Sequence, residues 1–193
     1  MNKRKLFMIW VFVVSMMHLA AHAQQHPHNE VPTNAEDVCP IKVGRVLPDV
    51  TVRKLSGETS SLNTQLNNQP SIIILYRGSW CPYCNTQLGE LQTKEAEFKA
   101  LGYQIVAISP DLPKNLKKSV SKNSLSYKLL SDSKAALAKA LGLAYRGDDK
   151  TNEMLLSYKI NLEEASGENH RILPVPAAII IGKDQVVDFI YFS

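Results

Sequence analysis

The sequence predicts an α/β fold with a mixed sheet, on three observations. Residues 72–76 and 103–108 are continuous apolar stretches, typical of strands in the middle of a sheet covered on both faces. A helical pattern over 82–100 lies between them, and the order strand, helix, strand implies a right-handed crossover between parallel strands. Two predicted hairpins add antiparallel strands. The length of 193 residues and the 45% hydrophobic content are those of one globular domain with a core.

The first 23 residues are predicted to be a secretory signal peptide. Basic residues at 3–5 precede an almost purely apolar stretch over 6–20, and Ala21 and Ala23 occupy the positions that a signal peptidase reads. The apolar stretch is shorter than the roughly 20 residues that a membrane-spanning helix needs. We therefore expect cleavage after Ala23, export to the periplasm or the exterior, and no stable membrane insertion of the mature chain.

The net charge of the mature chain argues against nucleic acids and anionic membranes as partners. The whole chain has 22 basic and 18 acidic residues, and removal of the signal leaves 19 basic residues, a net charge of +1. Such a balance predicts neither nucleic acid nor an anionic membrane as a partner. The lysines at 114, 117, 118 and 122 are predicted to form a solvated helix face. Residues 24–42 are predicted to be a flexible lead-in to a domain over 43–193.

The elements of that domain follow from local patterns. Residues 49–52 and 59–62 flank Ser56-Gly57-Glu58, which predicts an N-terminal β-hairpin with a glycine turn. The helix over 82–100 is predicted to stop at Gly102. Further along, the patterns predict a helix over 113–121 opened by Asp111, a strand over 127–130, a helix over 133–141, a short helix near 154–160, and a closing hairpin of strands 177–181 and 186–192.

Cys81 and Cys84 lie where the first buried strand meets the long helix. Because Pro82 is favoured in a first helical turn, Cys81 is predicted at the helix N-terminus, where free backbone N–H groups and the helix dipole favour a thiolate. Such placements lower a cysteine pKa from about 8.5 to roughly 3.5–7.5. Cys84 is on the same helix face, within disulfide range, and the apolar stripe that follows predicts that it is the more buried sulfur. We expect Cys81 to attack and Cys84 to resolve the product, giving a redox-active disulfide.

Two structural interpretations of these cysteines stay open. A structural disulfide is plausible in an exported protein. Half of a zinc site would need a second ligand pair, for which only Cys39, His170 and the histidines near the N-terminus remain. A structural disulfide would not explain why the two cysteines are placed directly after an apolar strand at a proline-started helix. No metal or other cofactor is therefore predicted, and Cys39 is predicted to be a free thiol.

Five further residues are candidates for substrate binding or support. Trp80, Pro82 and Tyr83 flank the two cysteines. Arg77 either lowers the pKa of Cys81 through its charge or is a solvated residue at the end of a strand. Pro176 precedes the closing hairpin, and a cis bond there would present backbone to a partner beside the cysteines.

The segment 75–84, Leu-Tyr-Arg-Gly-Ser-Trp-Cys-Pro-Tyr-Cys, together with 173–177, resembles the thioredoxin superfamily. Within it the chain is similar to the peroxiredoxin-like branch of the AhpC/TSA, or redoxin, family, from about residue 43 to the end. The resemblance implies a thioredoxin-like fold, a peroxidatic or nucleophilic role for Cys81 and a cis proline at Pro176. The sequence ends at Ser193, directly after the last predicted strand, so the final helix that is usual in this fold is not predicted.

Three functions are compatible with these residues. The first is a peroxidase, in which a Cys81 thiolate reduces a peroxide, Cys84 forms the disulfide and an external dithiol recycles it. The second is a protein disulfide reductase or oxidase that uses the same pair on protein substrates. The third is a copper carrier that binds metal through Cys81, Cys84 and His170. Copper carriers of this fold have a wider Cys-x-x-x-Cys spacing, which argues against the third.

Overall fold

The computed structural model describes residues 30–193, so the predicted signal peptide over 1–23 lies outside the described residues. The strands are β1 (Thr51–Arg53), β2 (Thr59–Ser61), β3 (Ser71–Leu75), β4 (Gln104–Ser109), β5 (Lys128–Ser131), β6 (Ala144–Tyr145), β7 (Leu173–Pro174), β8 (Ala177–Ile181) and β9 (Val187–Phe192). The helices are a short 3-10 helix at Ala35–Asp37, then α1 (Leu62–Leu66), α2 (Pro82–Ala100), α3 (Pro113–Asn123), α4 (Ala136–Ala140), α5 (Asp149–Ser157) and α6 (Leu162–Ser166).

Seven strands form one mixed sheet in the order β2-β1-β5-β4-β3-β8-β9. β3 pairs in parallel with β4, and β4 in parallel with β5, while β8 pairs antiparallel with β3 and β9 antiparallel with β8. The α2 helix is the crossover between β3 and β4. The predicted α/β class, the first hairpin and the closing hairpin are confirmed. Among residues 30–193, no helix is long and apolar enough to span a membrane.

The two faces of the sheet carry separate apolar clusters. All five residues of β3 are buried, and its four apolar residues, 72–75, alternate between the two clusters. Ile72 and Ile74 face the cluster that contains Cys81, Cys84 and Leu88. The cysteines therefore lie on the sheet face that α2 covers, beyond the carboxyl end of the parallel strand β3.

Four details differ from the sequence prediction, of which three concern the segments 31–42, 133–141 and 154–160. Residues 31–42, part of the lead-in over 24–42 that was predicted to be flexible, are packed on the domain: Ile41 N–H donates to Leu141 O at 2.8 Å, and Arg146 N–H donates to Pro32 O at 2.8 Å. The helix over 133–141 is reduced to α4, because Ala135 adopts a left-handed φ of 53° and Asp132 accepts from Leu137 N–H. The helix near 154–160 is replaced by α5 and α6.

The third helix extends to residue 123, and its start also differs from the prediction. Its N-cap residue is Leu112, with no side-chain hydrogen bond, so Asp111 does not open this helix. The four lysines of the predicted solvated face are all exposed.

Candidate active site

Cys81 is the N-cap of α2. Its backbone is extended (φ −83°, ψ 114°), Pro82 is the first helical residue, and the Cys81 sulfur accepts the backbone N–H of Cys84 at 3.4 Å. The sulfur therefore takes the place that a serine or aspartate oxygen takes at other helix starts. A negative charge on it is stabilised by that N–H and by the positive end of the helix dipole. The predicted placement of Cys81 is confirmed.

Both cysteines are free thiols and both are buried, but not in the predicted order. Cys81 is 2% exposed and Cys84 is 5% exposed. The prediction that Cys84 is the more buried is wrong, because the first turn of α2 places it in the wall of an open cavity. The apolar stripe after Cys84 indicates a buried helix face, but it does not reveal that a cavity opens beside the first turn of that face.

The cavity beside Cys84 has a volume of about 520 Å³. Its wall includes Arg77, Tyr83, Cys84, Tyr145, Pro176 and Phe192. The structure thus brings together three residues that the sequence predicted to support the cysteines, namely Arg77, Tyr83 and Pro176. Tyr145 and Phe192 were not predicted, and only the folded chain brings them there. Tyr83 is 82% exposed and forms part of the rim.

Arg77 lies beside the Cys84 sulfur. Burial raises the pKa of the Cys84 thiol to about 11, and its hydrogen bond with Cys81 acts in the same direction. The backbone N–H of Arg77 and its positive charge act in the opposite direction. Arg77 is half-buried and lies at the cysteines rather than in bulk solvent, and its proposed effect on Cys81 stays a prediction.

Two buried polar residues that the sequence analysis missed hold the loop before Cys81. The Asn85 side-chain amide donates to Ser79 O at 2.7 Å and to Cys81 O at 2.9 Å. The Asp111 carboxylate accepts the Ser79 N–H at 2.6 Å. Asn85 lies four positions after Cys81, on the buried face of the helix. A polar residue at such a position indicates a hydrogen bond to nearby backbone, and this signal was available in the sequence. Asp111 comes from the loop after the neighbouring strand, so only the sheet order reveals it.

Gly78 and Trp80 fit tightly against each other in that loop. Gly78 has a φ of 156°, and a Cβ there would lie 2.4 Å from Trp80 Nε1 and 3.0 Å from Asp111 Oδ1. Trp80 is half-buried and packs against the cluster that contains the cysteines and against a smaller cluster around Leu155. The glycine allows the indole to lie over the start of the helix.

The predicted cis bond at Pro176 is wrong, since no peptide bond within residues 30–193 is cis. The chain just before Pro176 is held extended because Val175 N–H donates to Leu143 O at 2.7 Å, next to the β6–β7 pair. Pro176 nevertheless lies in the cavity wall with Cys84.

His170 does not approach the cysteines as a ligand. Its Nε2 is 2.8 Å from Ser133 O, and its Nδ1 accepts the Ile172 N–H at 2.9 Å, so both ring nitrogens bond to the backbone. Within the part of the chain that the structure describes, no three His, Cys, Asp or Glu side chains are arranged to hold a metal ion. Cys39 is exposed.

Comparison with known proteins assigns the family. The family model described as "AhpC/TSA family" matches residues 43–190. Peroxiredoxin bcp1 of Schizosaccharomyces pombe is 31% identical over 110 residues, which cover 57% of this chain and 56% of that protein. The match therefore spans little more than half of that relative.

Solved structures support the same fold. Peroxidoxin BcpB of Mycobacterium tuberculosis has a TM-score of 0.63 at 20% identity, covering 79% of this chain and 86% of that chain. Reduced Prx3 of Vibrio vulnificus in complex with H2O2 has a TM-score of 0.64 at 18% identity, covering 79% and 88%. The fold is thioredoxin-like, as the sequence predicted, and the chain belongs to the AhpC/TSA family.

Proposed function

We propose that this protein is a thiol-dependent peroxidase that reduces peroxides through Cys81 and Cys84. The observation that carries the proposal is the Cys81 sulfur at the N-cap of a 19-residue helix, accepting the Cys84 N–H. A thiolate so placed is stabilised before any substrate arrives, and the thiolate is the nucleophile in this chemistry. The names of the relatives, which are peroxiredoxins, favour peroxide as the electrophile.

The proposed first step transfers one oxygen atom. The Cys81 thiolate attacks the terminal oxygen of ROOH, the O–O bond breaks, and the released RO⁻ takes a proton to leave as ROH. Cys81 becomes a sulfenic acid. The Arg77 guanidinium lies near both sulfurs and would stabilise negative charge as the O–O bond breaks.

The second step forms the disulfide. Cys84 attacks the sulfenic sulfur of Cys81, and hydroxide leaves with the thiol proton as water. In the reduced protein the Cys81 sulfur already accepts the backbone N–H of Cys84 at 3.4 Å. Residues three apart on a helix are within disulfide range, so little movement of the first turn is needed. An external dithiol then returns the pair to the reduced state.

The size of the cavity supports a second candidate function, that of a protein disulfide reductase or oxidase. A volume of about 520 Å³ is within the range of sites that hold drug-sized ligands, far more than a peroxide group occupies. Tyr145, Pro176 and Phe192 give its wall an apolar part that suits a peptide. The two functions share the same cysteines and differ in the oxidant.

Stopped-flow kinetics separates the two functions. Reduced protein carrying Cys39→Ser, which removes the exposed third thiol, is mixed with hydrogen peroxide and in parallel with a disulfide-bonded protein. We expect peroxide to oxidise the pair at least about 100-fold faster than it oxidises free cysteine. A peroxide rate no faster than that of free cysteine, together with rapid exchange with the protein disulfide, would replace the peroxidase by the second function.

We propose that the protein acts after export, in the periplasm or outside the cell. The proposal rests on the basic, apolar and small-residue pattern of residues 1–23. N-terminal sequencing of the protein recovered from its native compartment tests it, with Gln24 as the expected first residue.

A further inference from the structure

A second cavity opens beside Ser79 and Trp80, the two residues that precede Cys81 in the chain. Its volume is about 270 Å³, and neither Cys81 nor Cys84 belongs to its wall. The first two turns of α3, the turn between α5 and α6, and α6 itself form the rest of the wall. This volume is slightly below that of sites for drug-sized ligands, so the cavity suits a small molecule.

Three lysines and one carboxylate line this cavity. Lys114 and Lys118 are four residues apart and therefore lie on one face of α3, while Lys159 comes from the turn after α5. The only acidic side chain in the wall is that of Glu164, so three positive charges and one negative charge give the wall a net charge of +2. Within residues 30–193, none of the three ammonium groups forms an ion pair with a carboxylate. Charges of one sign in a cleft concentrate ions of the opposite sign there.

Lys159 occupies a backbone position that favours glycine. The α5 helix ends in a turn in which the Lys159 N–H donates to Leu156 O at 2.8 Å. In the same turn the Ile160 N–H donates to Leu155 O at 2.9 Å. This pair of bonds requires a left-handed residue, and Lys159 has a φ of 61°. Glycine is the usual residue there because a Cβ is strained in that conformation. The chain therefore gives up local stability to have a lysine in the cavity wall, and such a cost indicates a function for its side chain.

The start of α3 adds to the positive potential of the cavity. Its N-cap residue, Leu112, has no side chain that can accept a hydrogen bond, and the Lys114 N–H has no acceptor among the described residues. The N-terminal end of a helix is the positive end of its dipole and attracts negative charge. The backbone and the lysine side chains thus favour the same kind of ligand.

We propose that this cavity binds a small oxyanion with at least two negative charges, held by Lys114, Lys118 and Lys159. Lysine ammonium groups donate charge-assisted hydrogen bonds to phosphate and carboxylate oxygens. A phosphate group and a pair of carboxylates share this chemistry, and both match the net charge of the wall. Because Glu164 offsets one of the three lysines, an oxyanion with a single negative charge is bound more weakly. The bound anion lies beside Trp80, whose indole lines the same cavity.

Binding is measured with three probes at constant ionic strength: inorganic phosphate, succinate and acetate. Equilibrium dialysis with the radiolabelled anions gives the stoichiometry and the Kd. The chain has two tryptophans, so Trp10→Phe leaves Trp80 as the only one, and its fluorescence reports binding at the cavity. We expect one phosphate or succinate per chain, bound at least about 10-fold more tightly than acetate. The tighter of the two dianions identifies the ligand as a phosphate or a dicarboxylate.

Four variants locate the site. Lys114→Gln should raise the Kd of the tighter dianion at least about 5-fold, and Glu164→Gln should lower it at least about 3-fold. Lys159→Gly should raise the Kd at least about 5-fold although it stabilises the fold against urea, because it removes the charge and the strained Cβ together. Lys117→Gln, on α3 but outside the cavity wall, is the matched control and should change the Kd by less than about two-fold.

Three results would overturn the proposal: no saturable binding of either dianion, acetate binding as tight as theirs, or equal weakening in Lys114→Gln and Lys117→Gln. A Lys159→Gly protein that is more stable and binds as tightly as the wild type would also overturn it. Binding is measured on the reduced protein without peroxide, so the result is independent of whether the protein is a peroxidase.

Discussion

The side-chain amide of Asn85 donates to the carbonyl of Cys81 at 2.9 Å and to that of Ser79 at 2.7 Å. One buried side chain thus ties the first turn of the long helix to the loop that precedes it. Buried donors of this kind stabilise a unique loop geometry because leaving their acceptors unpaired is costly. The position of the Cys81 sulfur depends on this contact as well as on the helix itself.

Replacing Asn85 by aspartate tests that contact. Asn85→Asp keeps the size of the side chain but sets a carboxylate against two carbonyl oxygens, so we expect a loss of on the order of 1–3 kcal/mol in the free energy of unfolding. Urea denaturation measures it. Asn169→Asp, at an exposed amide, is the matched control and should change stability by less than about 0.5 kcal/mol. Equal losses in the two variants would contradict the role of Asn85.

Two glycines near the site should respond in opposite directions to alanine. Gly78→Ala forces a methyl group against the Trp80 indole and Asp111, and we expect a loss of about 1–3 kcal/mol together with a changed tryptophan fluorescence. Gly89→Ala lies within α2, with its nearest neighbour at 3.8 Å, and should stabilise the protein by about 0.5–1 kcal/mol. A neutral Gly78→Ala would show that the indole does not occupy the described position.

Arg77 should matter for chemistry more than for folding. Arg77→Met removes the charge beside the sulfurs while keeping an unbranched side chain, and we expect at least a 10-fold slower reaction with peroxide. Arg77→Lys should recover part of that loss, and Arg146→Met, at an exposed arginine, should leave the rate unchanged. Stopped-flow oxidation under pseudo-first-order conditions gives all four rates. A wild-type rate in Arg77→Met would remove Arg77 from the site.

Because of Asp132, we expect the free energy of unfolding to decrease as the pH rises from about 4 to about 6. Burial raises the pKa of Asp132 from its ordinary 3.8 to about 6. Hydrogen bonds from the backbone N–H groups of residues 136–138 lower the pKa and offset part of this effect. Since the folded state then binds the proton more tightly than the unfolded state, the stability contribution is largest below the unfolded pKa. It is lost as pH rises through the folded pKa, by on the order of 3 kcal/mol in total.

The measurement is a comparison with Asp132→Asn, which cannot titrate. Urea unfolding of both proteins at several pH values from 4 to 7 gives the stability of wild type minus that of the variant. We expect this difference to decrease as pH rises. A difference that stays constant or increases would mean that Asp132 is not held with a raised pKa.

The sequence was a good guide wherever the signal was local. The continuous apolar strand β3, the proline-started helix and the glycine that ends it are each determined by neighbours in the chain, and all three lie where predicted. The Cys81 placement follows from the same local pattern. Arg77 and Pro176 were found because they flank recognisable segments.

The rest of the site depends on contacts between distant segments. Asp111 was interpreted as a helix cap, yet its carboxylate bonds to Ser79, 32 residues earlier, because β4 lies beside β3 in the sheet. The cavity at Cys84 is also lined by Tyr145 and Phe192, which come from two further elements. No periodicity in α2 reveals that part of its buried face is left uncovered, so the relative exposure of the two cysteine residues was predicted in the wrong order.

The assignment of the nucleophile is tested most directly by trapping sulfenic acid in two single variants, each also carrying Cys39→Ser. Reduced Cys84→Ser and Cys81→Ser proteins receive one equivalent of hydrogen peroxide in the presence of dimedone, and intact mass reports the adduct. Our account predicts a rapid and nearly complete adduct on Cys81 in the Cys84→Ser protein and at least about 10-fold less on Cys84 in the Cys81→Ser protein. A faster or equal adduct on Cys84 would contradict it.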